Sequence, residues 1–222
     1  RLEATFVQVV RQEEEMDSLD NWLVVGQQDL VQYPQLAYAL SDVNRVVSDM
    51  GSMDKREQNE LLDQLEKFLP TLAAHPRGYK VVVEMVCQFK ESLLDRVVRI
   101  LSRKFIPLSE VAAGAKCLLD SLTLLPTELQ QSLTSAYSFL TDCQEAVEHM
   151  TGQNSFIVFT TALPLLNTSL VKQLVKAISP GLAMLTGHES LHLLVEHASN
   201  TDHEVLVLLA NQLDAEQLLL LP

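Results

Sequence analysis

The segment LAAHPRGYKVVVE, residues 72–84, aligns with LSEVAAGAKCLLD, residues 108–120, at a spacing of 36 residues. A second pair, MTGQNSF at 150–156 and LTGHESL at 185–191, aligns at a spacing of 35. Each spacing is about the length of one helical hairpin, and repeats of this size bury their apolar faces only by stacking on neighbours. The alternative is that amphipathic helices resemble one another by chance, and both interpretations predict a helical protein.

Apolar spacing and composition support helices on both sides of these segments. Leu2 and Phe6 stand one helical turn apart, and Asp54 can begin a helix that carries Leu61 and Leu65. Only seven glycines and 5% aromatic residues occur in 222 residues, which favours helix over strand. The sequence therefore predicts an all-α fold, a right-handed superhelix of stacked antiparallel helix pairs with about 9–11 helices, which is an α-solenoid of armadillo or HEAT character.

The chain contains no glycine-rich or low-complexity linker. We therefore expect one α-helical repeat domain over residues 1–222, with N-terminal capping helices in 1–50 and stacked helical hairpins in 54–222. The longest apolar runs, such as 81–86, are far shorter than the roughly 20 residues that a bilayer span needs, so we expect no membrane partner. Cys87, Cys117 and Cys143 lie in apolar helical patterns, which favours reduced thiols and a cytoplasmic or nuclear location.

Positive charge is concentrated in one segment of an acidic chain. Residues 75–104 hold seven of the sixteen Lys and Arg against three acids, a net charge of +4. The rest of the chain carries nine basic and twenty-six acidic side chains, a net charge of −17. Such a split gives a molecule one attractive face for anions. We predict a partner-binding surface formed by Arg77, Lys80, Arg96, Arg99, Arg103 and Lys104.

Three arginines of this surface share one helix face. Arg96, Arg99 and Arg103 follow the spacing i, i+3 and i+7, and guanidinium groups in a row suit carboxylates or phosphates. The alternative is a solvated face paired with acids of adjacent helices, which the acidic surplus favours. The net charge of −13 and the lack of interleaved aromatic and basic residues argue against nucleic acid as the main ligand. We therefore expect protein partners with helical or acidic segments, and RNA as a secondary partner.

The segment HESLH at 188–192 matches the pattern H-E-x-x-H, in which two histidines bind zinc and the glutamate acts as a general base. One alternative function is therefore a zinc-dependent hydrolase that uses His188, Glu189 and His192. Against it, the aligned segment has Gln153 and Ile157 in place of the histidines. No glycine-rich phosphate loop, G-x-S-x-G motif or C-x-x-C pair occurs in the sequence. We predict no catalytic residue, no metal, no cofactor and no small-molecule substrate, and we expect that the chain is not an enzyme.

Four segments in order resemble the C-terminal helical domain of the PAT family of mRNA decapping activators. They are LEATF at 2–6 with the acidic run at 13–15, RGYKVV at 77–82, the arginine-bearing hairpin that follows, and QNSF at 153–156. This resemblance implies an α-superhelical, non-catalytic adaptor that binds short leucine-rich helical motifs and neighbouring subunits of an mRNA-turnover assembly. Pumilio repeats have a similar period and an H-x-x-G element like that of residues 75–78, but the side-chain triplets with which such repeats read bases are not recognisable in this sequence.

The function that we predict from the sequence is a non-catalytic protein-interaction scaffold that binds helical or acidic partner segments in mRNA turnover, through decapping. The two alternatives are an RNA-binding helical-repeat protein and a zinc-dependent hydrolase. RNA binding would weaken steeply with salt, whereas a zinc hydrolase would hold stoichiometric zinc.

Overall fold

The computed structural model describes residues 39–201 and 203–212. Every regular element in these residues is a helix and none is a strand, so the predicted all-α fold is confirmed. Most of the predicted capping segment 1–50, namely residues 1–38, lies outside the described residues. Within the described ranges, none of the helices combines the length and the apolar character that crossing a membrane requires.

The chain divides into two compact units, Arg1–Pro126 (unit 1) and Thr127–Pro222 (unit 2). The expectation of one domain over residues 1–222 stays a prediction. The described helices of unit 1 are α1 (Val43–Met50), α2 (Lys55–Leu65), the 3₁₀ segment η1 (Glu66–Phe68), α3 (Leu69–Ala74), α4 (Tyr79–Gln88), α5 (Glu91–Arg103), α6 (Phe105–Glu110) and α7 (Ala112–Leu124).

Four of the six pairs of equivalent helix boundaries in unit 1 are 36 residues apart. Helix α2 begins at Lys55 and α5 at Glu91, while α4 ends at Gln88 and α7 at Leu124. The short helices α3 and α6 also keep this spacing at both of their ends. Unit 1 therefore contains two structural repeats, repeat A (55–88) and repeat B (91–124), and each has a long, a short and a second long helix.

A short helix between the two long ones raises the helix count. The described residues form thirteen α-helices, against nine to eleven expected from the sequence. The short helices α3 and α6 account for a difference of two. In α3, Pro70 lies in the first turn, where it fits a helix start and separates this helix from the segment before it. Asp54, by contrast, begins α2 as predicted, since its carboxylate and that of Glu57 form a reciprocal capping box.

Glycine occupies the same position in repeats A and B because a backbone carbonyl oxygen of the short helix lies very close to it. A Cβ atom on Gly78 would lie 2.8 Å from the carbonyl oxygen of Leu72, and one on Gly114 would lie 2.2 Å from that of Leu108. Both glycines thus contact the carbonyl group six residues earlier, in the short helix of their own repeat. The alignment at a spacing of 36 therefore reflects an equivalent position in the fold.

Stacking of repeat A on repeat B covers the apolar faces of both. Helix α4 packs against α7, α3 against α6, and α2 against α5. Leu72, Val82, Val97, Leu101 and Leu118 are fully buried in this stack. Each buried aliphatic side chain stabilises the fold by about 1.5–3 kcal/mol relative to an exposed one. The two repeats thus share one apolar core, as stacked repeats do.

Unit 2 continues the pattern of long and short helices. Its described elements are α8 (Thr127–Thr134), η2 (Ser135–Phe139), α9 (Cys143–Thr151), α10 (Gln153–Ala162), η3 (Leu163–Leu165), α11 (Thr168–Ile178), η4 (Ser179–Leu185), α12 (Glu189–Thr201) and α13 (His203–Gln212). The aligned serines Ser155 and Ser190 lie in the first turns of α10 and α12 and are buried. The ring of His188, just before α12, meets that of Phe156 on α10 edge-on at 5.3 Å.

Candidate functional site

The predicted binding residues lie on helices α4 and α5 or directly beside them, since Arg77 precedes α4 and Lys104 follows α5. Only Phe89 and Lys90 connect these helices, which also contact each other. A connection this short makes two helices antiparallel neighbours. The start of α4, with Arg77 and Lys80, therefore lies at the same end of the hairpin as Arg103. The packing agrees, because α3, which leads into α4, contacts α5 and the following α6.

His75 holds the turn that presents Arg77 and Lys80. Its Nδ1 atom accepts hydrogen bonds from the backbone N–H groups of Arg77 (3.1 Å) and Gly78 (3.0 Å). Burial, and second the charge of Arg77, lower the pKa of His75, which agrees with a neutral ring acting as acceptor. Both Arg77 and Lys80 are exposed at this turn.

The structure turns Arg96 toward acids of the neighbouring helix. Its guanidinium donates to Asp63 (2.8 Å), to Asn59 (3.2 Å) and to Glu66, all from α2 or the adjoining η1. Hydrogen bonds to Asp63 and then to Glu66 raise the pKa of Arg96. This residue links the first long helices of repeats A and B. Arg96 therefore follows the alternative stated from the sequence, since it pairs with acids of an adjacent helix. The candidate surface does not include Arg96.

Arg99 and Arg103 lie one turn apart on α5 and are exposed, whereas Lys104 is half-buried at the junction with α6. None of the ion pairs among the described residues involves Arg99, Arg103 or Lys80. Arg103 occupies the last turn of α5, where a positive charge interacts favourably with the helix dipole. Two guanidinium groups are thus presented to solvent beside the Arg96 network.

The repeat adds a cation that the sequence analysis did not predict. The spacing of 36 pairs Lys80 on α4 with Lys116 on α7, and both side chains are exposed on helices that pack together. The Lys116 Nζ atom lies 5.3 Å from the ring centroid of Tyr79, and hydrogen bonding to Tyr79 raises the pKa of Lys116. Lys116 lies outside the segment 75–104 in which positive charge is concentrated. The alignment at a spacing of 36 residues already paired it with Lys80. We refer to these cations as the basic surface: Arg77, Lys80, Arg99, Arg103, Lys104 and Lys116.

The HESLH segment does not adopt the geometry that the zinc motif requires. Its first histidine, His188, precedes α12, which begins at Glu189, so the two histidines are not both inside a helix. The His188 Nδ1 atom accepts from the backbone N–H of Ser190 (3.2 Å) and lies 2.8 Å from the hydroxyl of that residue. Among residues 39–201 and 203–212, no group of three or more His, Cys, Asp and Glu could hold a metal ion.

Comparison with solved structures identifies a similar fold. The chain is similar to the Puf3 RNA-binding domain bound to a Cox17 RNA 3′ UTR recognition sequence, with a TM-score of 0.60 and 11% sequence identity. The match covers 89% of this chain and 55% of that chain, so our chain spans about half the length of the Puf3 domain. At this identity the likeness shows the fold alone, a helical-repeat α-solenoid. No family model and no curated protein matches the chain, and the resemblance to the PAT family is not confirmed.

Proposed function

We propose that this chain is a non-catalytic helical-repeat module that binds single-stranded RNA through phosphate contacts of the basic surface. The observation that carries the proposal is the exposure of Lys80, Arg99 and Arg103 at one hairpin, outside the ion pairs of the described residues. Exposed cations that the protein does not neutralise are what a phosphate backbone requires. The Puf-like fold supports the proposal, because the Puf3 domain it resembles is described as bound to RNA.

The charge distribution limits how much RNA the chain can hold. Unit 2 contains two lysines, no arginine and ten acids, a net charge of −8. A phosphate backbone that extends over unit 2 would therefore be repelled. We expect binding of a short segment, about as many phosphates as the basic surface has cations, rather than of a strand that follows the whole chain.

Fluorescence anisotropy with a labelled RNA of about ten nucleotides tests this proposal, since this length exceeds the number of phosphates that the six cations of the basic surface can contact. We expect Arg103→Glu and Lys80→Glu each to weaken binding about fivefold or more, because each reversal replaces a phosphate contact with repulsion. The matched control is Lys176→Glu, an exposed lysine on α11 of unit 2, which makes the same change in net charge. Absence of binding by the wild type, or equal weakening by the control, would contradict the proposal.

A second candidate is an adaptor that binds acidic or helical protein segments through the same cations. The observation in its favour is the net charge of −13, which disfavours any polyanion longer than the basic surface. The two candidates differ in their dependence on RNA length. Tight binding of an acidic peptide, with RNA affinity that is weak at every length, would favour the adaptor. The predicted place in mRNA turnover stays a prediction under either function.

A further inference from the structure

A groove lies between α10 with the adjoining η3 and α12, on unit 2. One wall is formed by Thr160 and Pro164, and the other by four residues of α12. Those four stand at i, i+3, i+4 and i+7 and therefore present one face of the helix: Leu193, Glu196, His197 and Asn200. The groove encloses about 220 Å³, less than the roughly 300–1,000 Å³ of small-molecule sites. It fits side chains of a bound segment better than a separate ligand.

The walls of this groove are mainly apolar. The Thr160 hydroxyl is already used, since it donates to the backbone carbonyl of Ile157 (2.9 Å). Ile157 itself stands one turn before Thr160, on the same side of α10, and is 51% exposed. Burial lowers the pKa of His197, so this ring contributes a neutral surface near pH 7. An exposed isoleucine beside a groove between two helices is a suitable contact for an apolar side chain.

Charge determines which partner this groove can accept. No Lys or Arg is among the described residues that line it, and Glu196 on its wall is exposed. The unit around it has a net charge of −8, with ten acids and two lysines. One of those lysines, Lys172, is paired with Glu204. A phosphate chain or an acidic peptide would be repelled here, whereas Lys and Arg flanking an apolar residue would be attracted.

We infer that the α10–α12 groove is a docking site for a basic amphipathic helix of a protein partner. An apolar side chain of that helix enters the groove between Thr160 and Leu193, and its Lys or Arg residues face Glu196. An amphipathic helix in an apolar groove is a common recognition mode, and the acidic surroundings select a basic one. This site is on unit 2 and does not depend on RNA binding by unit 1.

The test uses a labelled synthetic helix made of Leu and Lys residues, with a Leu and Glu helix of the same apolar pattern as its control. We expect the Leu–Lys helix to bind wild-type protein. Two changes should weaken this binding about fivefold or more: Glu196→Lys, which reverses the charge at the groove, and Thr160→Trp, which fills it. The matched control is Glu145→Lys, an exposed acid on α9 outside the groove, and it should change the affinity less than twofold.

Four results of the helix-binding measurements would overturn the inference. They are absence of Leu–Lys helix binding, equal binding of the Leu–Glu helix, an equal effect of Glu145→Lys, and no effect of Thr160→Trp in a variant that keeps its helical circular dichroism. Weakened RNA binding in Thr160→Trp would instead assign the groove to nucleic acid, and this also counts against the inference. The variants Arg103→Glu and Lys80→Glu separate the two sites, because they should weaken RNA binding and leave binding of the Leu–Lys helix intact.

Discussion

Close backbone packing explains why residues 78 and 114 are both glycine. In the sequence, the only sign of this packing is that glycine recurs at a spacing of 36. At both positions the missing side chain lets a long helix approach a carbonyl oxygen of the short helix before it. The contact is closer at Gly114, where a Cβ atom would lie 2.2 Å from the Leu108 oxygen. Backbone atoms of a packed helix cannot move aside easily, so any side chain at this position forces the two helices apart.

Gly114→Ala should therefore destabilise the protein by about 2 kcal/mol, within the range typical of overpacked sites. Urea denaturation followed by circular dichroism measures the change. Gly51→Ala is the control, since its nearest contact would be 3.6 Å and its backbone is right-handed helical. This control should lie within about 0.5 kcal/mol of wild type, or be slightly more stable. Equal effects of the two changes would show that the close contact at Gly114 does not determine stability.

His149 and Tyr137 form a buried polar pair in unit 2. The His149 Nε2 atom lies 3.1 Å from the Tyr137 hydroxyl, and neither residue is accessible to solvent. Burial lowers the pKa of His149 to about 4, below the 6.5 of an exposed histidine. Between these two values the unfolded chain binds a proton that the folded chain does not. Stability is therefore complete above about pH 6.5 and falls as the pH drops toward 4.

We expect wild-type protein to lose up to about 3 kcal/mol of unfolding free energy through His149 between pH 7 and pH 4. Urea denaturation at several pH values in this window measures the loss. The variant His149→Gln removes the titrating group, so its stability should change less over the same window. If both proteins show the same pH dependence, His149 does not contribute to it.

The repeat length can be predicted from the sequence. Which arginine forms ion pairs and which remains exposed cannot. The 36-residue alignment predicted where the equivalent helices of repeats A and B lie, and the capping residue Asp54 predicted the start of α2. Arg96 could not be distinguished from Arg99 and Arg103, because the three share a helix face. Only the stacking of α5 on α2 brings Arg96 to Asp63, which is 33 residues earlier in the chain.

The variant Arg96→Ala tests whether Arg96 stabilises the packing of α5 on α2 rather than binding RNA. We expect a loss of about 1–2 kcal/mol in unfolding free energy, since the change removes a half-buried charge that binds three side chains across two helices. RNA binding should change less than twofold. The control is Arg56→Ala, which breaks an exposed pair with Glu60 within one helix and should leave the unfolding free energy nearly unchanged. Loss of RNA binding in Arg96→Ala without loss of stability would return Arg96 to the binding surface.

The whole-chain net charge is a poor guide to local binding capacity. At physiological ionic strength, charges further apart than about 8 Å are largely screened when exposed to solvent. Acids of unit 2 therefore matter only to a ligand that passes close to them. The value of −13 is a sum over 222 residues, and it does not show that Lys80 and Lys116 lie on adjacent helices.

The salt dependence of the RNA affinity reports how many phosphates the protein neutralises. If all six cations of the basic surface each neutralise one phosphate, the logarithm of the RNA association constant should fall with the logarithm of salt concentration at a slope of about −4. Anisotropy titrations at several salt concentrations give this slope. Arg103→Glu should make the slope shallower by about one. A slope near zero would mean that phosphate contacts are not the basis of binding.

Ultraviolet cross-linking of bound RNA, followed by mass spectrometry of the peptides, tests the central claim most directly, because it reports both contact and location. We predict cross-linked peptides from residues 75–120, around the basic surface, and none from unit 2. The same peptides should lose their cross-links in the double variant Lys80→Glu/Arg103→Glu. Cross-links confined to unit 2, or none at all with RNA in large excess, would contradict binding of RNA by the basic surface.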